Sequence, residues 1–292
     1  MRSFEVLFDT GEPSRVEDAA YQSYGWLGFP AALTNRPWIY SNFVQSLDGI
    51  VSFKGKHAAG SDISRSEEDR WLMDLLRAHA DAVLVGMNTL LDETELGSRA
   101  RGPVFRIMDP ELRKLREKLG KKREKNIIVT GAGTADLSGY RVFDGELVDA
   151  MVATTRSGAK RLEERNSHAN VKVIAAGEGK LIDLRRMVEI LRREHGIEYL
   201  LCEGGPTLYG YMSRAGLIDE RFVTISPIEV GQLVPEEQER TGADVRNPSL
   251  YRPTMFNAPG FTAADAPWWQ WVSCRRAGDH QFSRYRRTGA KG

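Results

Sequence analysis

The stretch that decides the fold is Tyr199-Leu200-Leu201-Cys202-Glu203-Gly204-Gly205-Pro206-Thr207-Leu208. Its four leading apolar residues show no polar alternation, the pattern of a strand buried on both faces. Two glycines follow, then Pro206, which suits the first turn of a helix because the N–H it lacks would be unpaired there anyway. A strand, a glycine turn and a helix within ten residues mark a junction in a parallel α/β sheet. Ligands in such sheets bind beyond the carboxyl ends of the strands. Glu203 sits at that end, where an unpartnered buried charge is very costly. Either a heterocycle bearing N–H donors or the amides of the next helix could satisfy it.

The same kind of junction recurs upstream. Ala82–Val85 is a short apolar strand running into Gly86-Met87-Asn88-Thr89 and a short helix. Further strands are expected at Trp38–Val44, Asn126–Thr130, Ala150–Thr154, Val171–Ala175 and Arg221–Ser226. Trp38–Val44 leads to Ser46-Leu47-Asp48-Gly49, where Asp48 reads as a turn residue. Ser64-x-x-Glu67 reads as a capping box, opening a helix with Trp71, Leu72, Leu75 and Leu76 on one face. A second helix is expected from about Leu184 to His195, with Asp183 as cap and Gly196 as stop. The tail differs: Trp269–Arg275 and His280–Arg286 read as a hairpin, an antiparallel edge on a mainly parallel sheet. Residues 1–35 read as an N-terminal extension and 36–292 as a single domain. A proline-rich arm at about 227–267 holds six of the chain's twelve prolines, a length typical of a packed arm over a site or seam.

Composition narrows the function classes. The 292 residues carry 41 Lys and Arg against 40 Asp and Glu, a net +1, with 41% hydrophobic residues. That excludes a disordered chain and argues against a nucleic-acid partner. No apolar run approaches the roughly 18 residues that span a bilayer, and the N-terminus carries acids where a secretory signal has a basic start. A cytosolic protein without a membrane partner is therefore expected. Cys202 and Cys274 read as reduced thiols. The absence of Cys-x-x-Cys, His-Glu-x-x-His and His-x-Glu speaks against zinc chemistry, so no metal is expected. The run Arg113–Lys125, with eight basic and two acidic residues, reads as a solvated helix face or loop. Arg77 reads as solvated by default, or as a phosphate ligand.

Five segments taken in order carry a resemblance. They are Asn42-Phe43-Val44-Gln45-Ser46-Leu47-Asp48-Gly49, Gly60-Ser61-Asp62-Ile63-Ser64, Leu76-Arg77-Ala78, Val85-Gly86-Met87-Asn88-Thr89-Leu90-Leu91 and Glu203-Gly204-Gly205-Pro206-Thr207-Leu208. Together they resemble the reductase domain of riboflavin biosynthesis over about Arg36 to Gly231. The resemblance implies a dihydrofolate-reductase-like three-layer α/β sandwich with a mixed, mainly parallel sheet. It also implies an NADPH-dependent, homodimeric reductase that converts the ribosyl group of a phosphoribosylamino-pyrimidine to ribityl. Cofactor contacts then fall on Gly86, Asn88, Thr89, Glu93, Gly204, Gly205, Pro206, Thr207 and Leu208. Substrate contacts fall on Asn42, Ser61, Arg77 and Glu203. Catalytic roles fall on Glu203 and on Asp48, which fixes the loop beside the nicotinamide.

Departures from the family pattern are local. Its usual Thr-Val-Leu-x-Asp-Asp-Pro is replaced by Thr89-Leu90-Leu91-Asp92-Glu93-Thr94-Glu95, without the proline. Asn42 and Asp62-Ile63-Ser64 look more like stand-alone, archaeal-type reductases, and the deaminase half of bifunctional relatives is not in these residues. The substrate is then either the diaminopyrimidinone or the deaminated uracil. The alternatives are a reductase of the same fold acting on a pterin or dihydrofolate, and a non-catalytic nucleotide-binding module. For a coenzyme 2′-phosphate, Arg106, Arg113, Thr154, Thr155 and Arg156 stand open.

Overall fold

Residues 4–51, 60–92, 102–165, 171–231 and 258–289 are described by the computed structural model. The strands within them are β1 (Glu5–Asp9), β2 (Trp38–Gln45), β3 (Ala82–Gly86), β4 (Lys125–Val129) and β5 (Asp149–Thr154). They continue with β6 (Lys172–Ala175), β7 (Tyr199–Gly204), β8 (Glu220–Ile225), β9 (Trp269–Ala277) and β10 (His280–Arg287). All join one sheet in the order β1-β9-β10-β8-β2-β7-β3-β4-β5-β6. The strands from β8 to β6 pair in parallel, and β10 and β9 add the antiparallel hairpin expected of the tail.

β7 is central, and its uninterrupted apolar run is explained by cover on both faces. Tyr199 and Leu201 join a core with Trp71, Leu72, Leu75 and Leu76 of α3 (Glu67–His79). Leu200 and Cys202 join the opposite core. That core also holds Met187, Val188 and Leu191 of α7 (Leu184–Arg193) and Tyr209 and Met212 of α8 (Pro206–Arg214). Helices on both faces of one sheet, among them the short α4 (Met87–Asp92) after β3 and α6 (Arg156–Arg165) after β5, give the three-layer α/β sandwich. Asp183 caps α7 by accepting from the Arg186 amide, and Gly196 follows at φ +63°. Both cysteines are buried and free, and burial pushes the Cys202 thiol up to about 12.

Three expectations need correction. First, the cap of α3 is Ser66, not Ser64: its Oγ accepts from the Asp69 amide at 3.2 Å. Ser64 ends the preceding α2 (Gly60–Ser64), and Arg65 at φ +48° breaks the two helices apart. Second, the basic run does not lie wholly on a solvated face. Part of it forms α5 (Pro110–Lys118), whose Arg116 is buried and donates to the carbonyls of Arg77, Ala80 and Lys122. Third, Arg77 is 6% exposed and not a solvated helix arginine.

The N-terminal segment contributes to the sheet itself. β1 pairs antiparallel with β9, and α1 (Ala19–Tyr24) sets Tyr21 and Tyr24 into the core beside Phe4. Glu12 takes a bidentate pair from Arg286 at 2.6 and 2.7 Å, which ties this segment to β10. Of the proline-rich arm, residues 232–257 lie outside the described residues.

The placement of the α3 cap is testable by urea unfolding. Ser66→Ala should lower stability by about 1 kcal/mol with an unchanged denaturant slope, and by more than Ser64→Ala. A larger loss from Ser64→Ala would restore the capping box at Ser64.

Candidate active site

Parallel pairing of β7 with its neighbours β2 and β3 places three carboxyl ends side by side. The β3–β7 register shifts between Leu84 and Val85, so that Val85 lies opposite Gly204. The turns after the two strands then touch. Gly205 N donates to Thr89 Oγ1 at 2.9 Å, and a Cβ added to Gly86 would lie 3.8 Å from Gly204 O and Leu208 Cβ. Gly204 has φ +91°, and a Cβ there would sit 2.6 Å from Phe43 Cζ, so both backbone and neighbour demand glycine. The Gly204–Gly205 peptide is cis. No side chain caps the N-terminus of α8.

Beside these turns lies a cavity of about 350 Å³. β2 supplies Asn42, α2 supplies Ser61, and the two turns supply Thr89, Glu203, Gly205 and Pro206. α3 and its cap contribute Ser66, the adjacent pair Asp69 and Arg70, Met73 and Arg77, successive steps of three or four residues that form one stripe along the helix.

The electrostatic centre of this wall is a buried ion pair. Arg77 Nε and Nη2 donate to Glu203 Oε1 and Oε2, each at 2.7 Å. Arg77 Nη1 donates to Arg106 O at 2.8 Å and reaches Asp74 Oδ1 at 3.5 Å. Burial works against the charge on Arg77, but Glu203 and Asp74 outweigh it and hold the guanidinium above its usual range. The partner of Glu203 is therefore an arginine within the chain, rather than a helix cap. One cation between two carboxylates leaves no surplus positive charge, so Arg77 is poorly suited to hold a phosphate by itself. Arg65 and Arg70 stand on the exposed side of the same cavity.

The structure gathers most of the expected residues. Asn42, Ser61, Arg77, Thr89, Glu203, Gly205 and Pro206 line one cavity, with Gly86 and Gly204 in the turns at its edge. Thr207 and Leu208 follow in the first turn of α8, and the Leu208 side chain packs into the core. Asn88 is exposed and does not line the cavity. Asp48 also stands outside the lining. It accepts from Ser46 Oγ at 2.5 Å, Gly231 N at 2.7 Å and Val230 N at 3.2 Å. The Ser46 hydroxyl and then those amides hold its carboxyl below the usual range. It is built as a loop fastener. Glu93 lies outside the described residues.

Sequence reasoning missed Asp69, Arg70 and Met73. The periodicity of α3 drew attention to its core face, and the adjoining polar stripe could have been found by extending Arg77 backwards in steps of three and four. Among the groups open for a 2′-phosphate, Thr155 Oγ1 accepts the Gly158 amide at 3.0 Å, Arg156 pairs with Glu178 at 3.0 Å and Arg113 donates to Ile107 O at 2.9 Å.

A second cavity of about 300 Å³ lies by the amino ends of β3 and β7, near Asp81, Lys121 and Tyr199. It is basic, but two of its central charges are engaged, Lys121 on Asp81 at 2.9 Å and Arg116 on backbone carbonyls. The carboxyl-end cavity is the one placed where parallel sheets bind ligands. Among the described residues no helix is long and apolar enough to cross a membrane, and no cluster of His, Cys, Asp and Glu has the make-up of a metal site.

Known proteins resemble the chain over much of its length. The model of the RibD C-terminal domain family matches residues 37–250. The 2,5-diamino-6-ribosylamino-4(3H)-pyrimidinone 5′-phosphate reductase of Methanothermobacter thermautotrophicus is 30% identical over 196 residues, covering 67% of this chain and 80% of that protein. The protein of the same name from Archaeoglobus fulgidus is 29% identical over 196 residues, covering 67% and 83%. A pyrimidine reductase-like protein from Corynebacterium diphtheriae shares the fold with a TM-score of 0.64 at 20% identity, covering 87% of this chain and 92% of that one.

The Arg77–Glu203 pair has a measurable consequence. Glu203→Gln removes the bidentate counter-charge of a buried guanidinium, leaving only the longer contact to Asp74, and should destabilise the protein by about 3 kcal/mol in urea unfolding. A loss under 1 kcal/mol would mean that the pair is not a buried structural link.

Proposed function

The chain belongs to the RibD C-terminal domain family, and from that premise we propose that it is the riboflavin-pathway reductase of a phosphoribosylamino-pyrimidine. The substrate class follows two reductases to which the chain is similar, both named for the 2,5-diamino-6-ribosylamino-4(3H)-pyrimidinone 5′-phosphate. The observation that carries the reading is the pair of glycine turns clasped by the Gly205–Thr89 hydrogen bond beside a polar cavity.

The residues fit a nicotinamide dinucleotide. Among the described residues the one heavy atom near the Cβ position of Gly205 is Thr89 Oγ1 at 3.2 Å, so a ligand can approach the backbone closely. The helix start behind this turn favours negative charge. We assign the diphosphate to Gly86, Thr89, Gly204, Gly205, Pro206 and the amides of Thr207 and Leu208, and the coenzyme to NADPH. A bound reduced nicotinamide supplies one chemistry, hydride to C1′ of the opened ribosyl group, which with a proton on the adjoining nitrogen turns ribosyl into ribityl.

The chain's own residues position and enclose. Asn42, Ser61 and the Arg77–Glu203 wall orient the pyrimidine, and Arg65 and Arg70 face the substrate phosphate. Asp48 ties the β2 turn to Val230 and Gly231, steadying that edge. Such a site needs no strong nucleophile, since holding two reactants at near-attack distance and excluding water supplies much of the acceleration. A cytosolic homodimer belongs to the same reading. Phe8, Trp268 and Trp271 are large and exposed, a surface suited to association.

Absorbance at 340 nm decides the activity. The protein mixed with NADPH and the diaminopyrimidinone phosphate should oxidise the coenzyme, and dihydrofolate should give no turnover. Turnover of dihydrofolate alone would overturn the substrate class, and no turnover of either with intact NADPH binding would favour a binding module. Gly205→Leu should raise the NADPH dissociation constant at least tenfold in a fluorescence titration, because its side chain occupies the diphosphate's approach. An unchanged constant would move the coenzyme elsewhere.

A further inference from the structure

Cavity-lining residues with orphaned polar atoms state what a ligand must bring. Among the described residues, eight buried side-chain N or O atoms have no hydrogen-bond partner. Two belong to residues that line the carboxyl-end cavity, Asn42 Oδ1 and Asp69 Oδ1, and both are acceptors. A ligand that satisfies them offers N–H donors. Asn42 can present either end of its amide, whereas an ionised carboxylate only accepts. Asp69 therefore fixes the polarity of this wall.

Asp69 sits in the first turn of α3, 9% exposed, with its backbone amide held by Ser66 Oγ at 3.2 Å. Around its carboxyl stand the hydroxyls of Ser64 from α2 and Thr224 from β8, with His280 of β10 and Arg70 of its own helix as the nearby cations. No ion pair joins it to either cation among the described residues, in contrast to Glu203, whose two oxygens are both taken by Arg77. Burial holds the Asp69 carboxyl above the usual carboxylate range, against the opposing pull of hydrogen bonding from the Thr224 and Ser64 hydroxyls and of the two cations. A buried carboxyl on a cavity-lining residue, steadied by hydroxyls and not by an ion pair, keeps capacity to accept from a donor-rich ligand.

We propose that Asp69 is a substrate-binding, specificity-determining residue that accepts hydrogen bonds from the N–H-bearing edge of the pyrimidine. It thereby selects the 2-amino pyrimidinone over its 2-oxo, uracil-type counterpart. The inference rests on the reductase reading above and adds to it the residue that tells the two substrates apart. A ring carrying a 2-amino group beside a ring N–H presents two donors to the carboxylate. The 2-oxo ring presents a carbonyl oxygen at the same place, and acceptor then faces acceptor. A site built to hydrogen-bond a group rejects the analogue that lacks it far more strongly than an apolar site rejects a missing methylene.

The test compares kcat/KM for the 2-amino and 2-oxo phosphates in the wild type and in Asp69→Asn, with NADPH affinity and Tm as controls. The wild type should prefer the 2-amino substrate by at least tenfold, the size expected from one or two charge-assisted hydrogen bonds. In Asp69→Asn, whose amide can both donate and accept, that preference should fall to threefold or less, with the NADPH dissociation constant unchanged. A wild type that shows no preference, or prefers the 2-oxo ring, overturns the proposal. So does an Asp69→Asn protein that loses activity on both substrates alike and keeps its preference, which is the mark of a merely structural residue. A wild type that turns over neither substrate fails the reductase reading itself, and this inference with it. Should Asp69→Asn not fold, a structure of the wild type with the 2-amino substrate decides. The 2-amino nitrogen within hydrogen-bond distance of Asp69 supports the assignment, and a ring that turns a different edge to Asp69 overturns it.

Discussion

Parallel pairing of β3 with β7 is the constraint on which the rest of the molecule depends. It aligns two strand ends, and the register shift at Leu84–Val85 brings the turns that follow them into contact. A single hydrogen bond, Gly205 N to Thr89 Oγ1, then joins turns 116 residues apart in sequence. Had the strands been separated in the sheet, the glycines would be two unrelated bends. Because they are neighbours, the turns form one continuous backbone surface, with an uncapped helix start behind it and a cavity beside it.

Arg77 and Glu203 show how a polar wall can be kept inside such a cavity. Each charge alone would be costly to bury, and the bidentate geometry together with the Arg106 carbonyl and Asp74 offsets that cost. The arrangement makes α3 and β7 a unit, so that the helix carrying Asp69, Arg70 and Met73 is locked in orientation to the strand that ends in the glycine turn. Rigid support of this kind lets a cavity discriminate between ligands differing by one exchange of donor for acceptor.

Much of this was legible in the sequence, for identifiable reasons. β7 announced itself because both of its faces are covered, leaving an uninterrupted apolar run, and Gly204-Gly205-Pro206 marked the turn and helix start. Asp183 and Gly196 bounded α7 because cap and stop are local chemistry. What was not legible depends on tertiary partners. Nothing near Glu203 in the chain indicates that its counter-ion lies 126 residues upstream. Arg116 sits in a run of basic residues, and its buried guanidinium is held by the Lys122 carbonyl of that run together with two carbonyls from α3 and its end, Arg77 and Ala80. β1 has no alternation to betray it, since all five of its residues are exposed and its pairing comes from β9 at the far end of the chain. The α3 cap was misplaced by two residues because Ser64 and Ser66 offer equivalent hydroxyls. Only the break at Arg65 separates their roles.

The central claim is that the two joined turns grip the coenzyme at the carboxyl end of the sheet. An amide NMR titration of the isotope-labelled protein with NADPH tests it residue by residue. The account predicts the largest shifts at Gly86, Thr89, Gly204, Gly205, Thr207 and Leu208, with the amides around Lys121 and Tyr199 at the opposite end unmoved. Shifts concentrated at that opposite end, with the two turns silent, would contradict it.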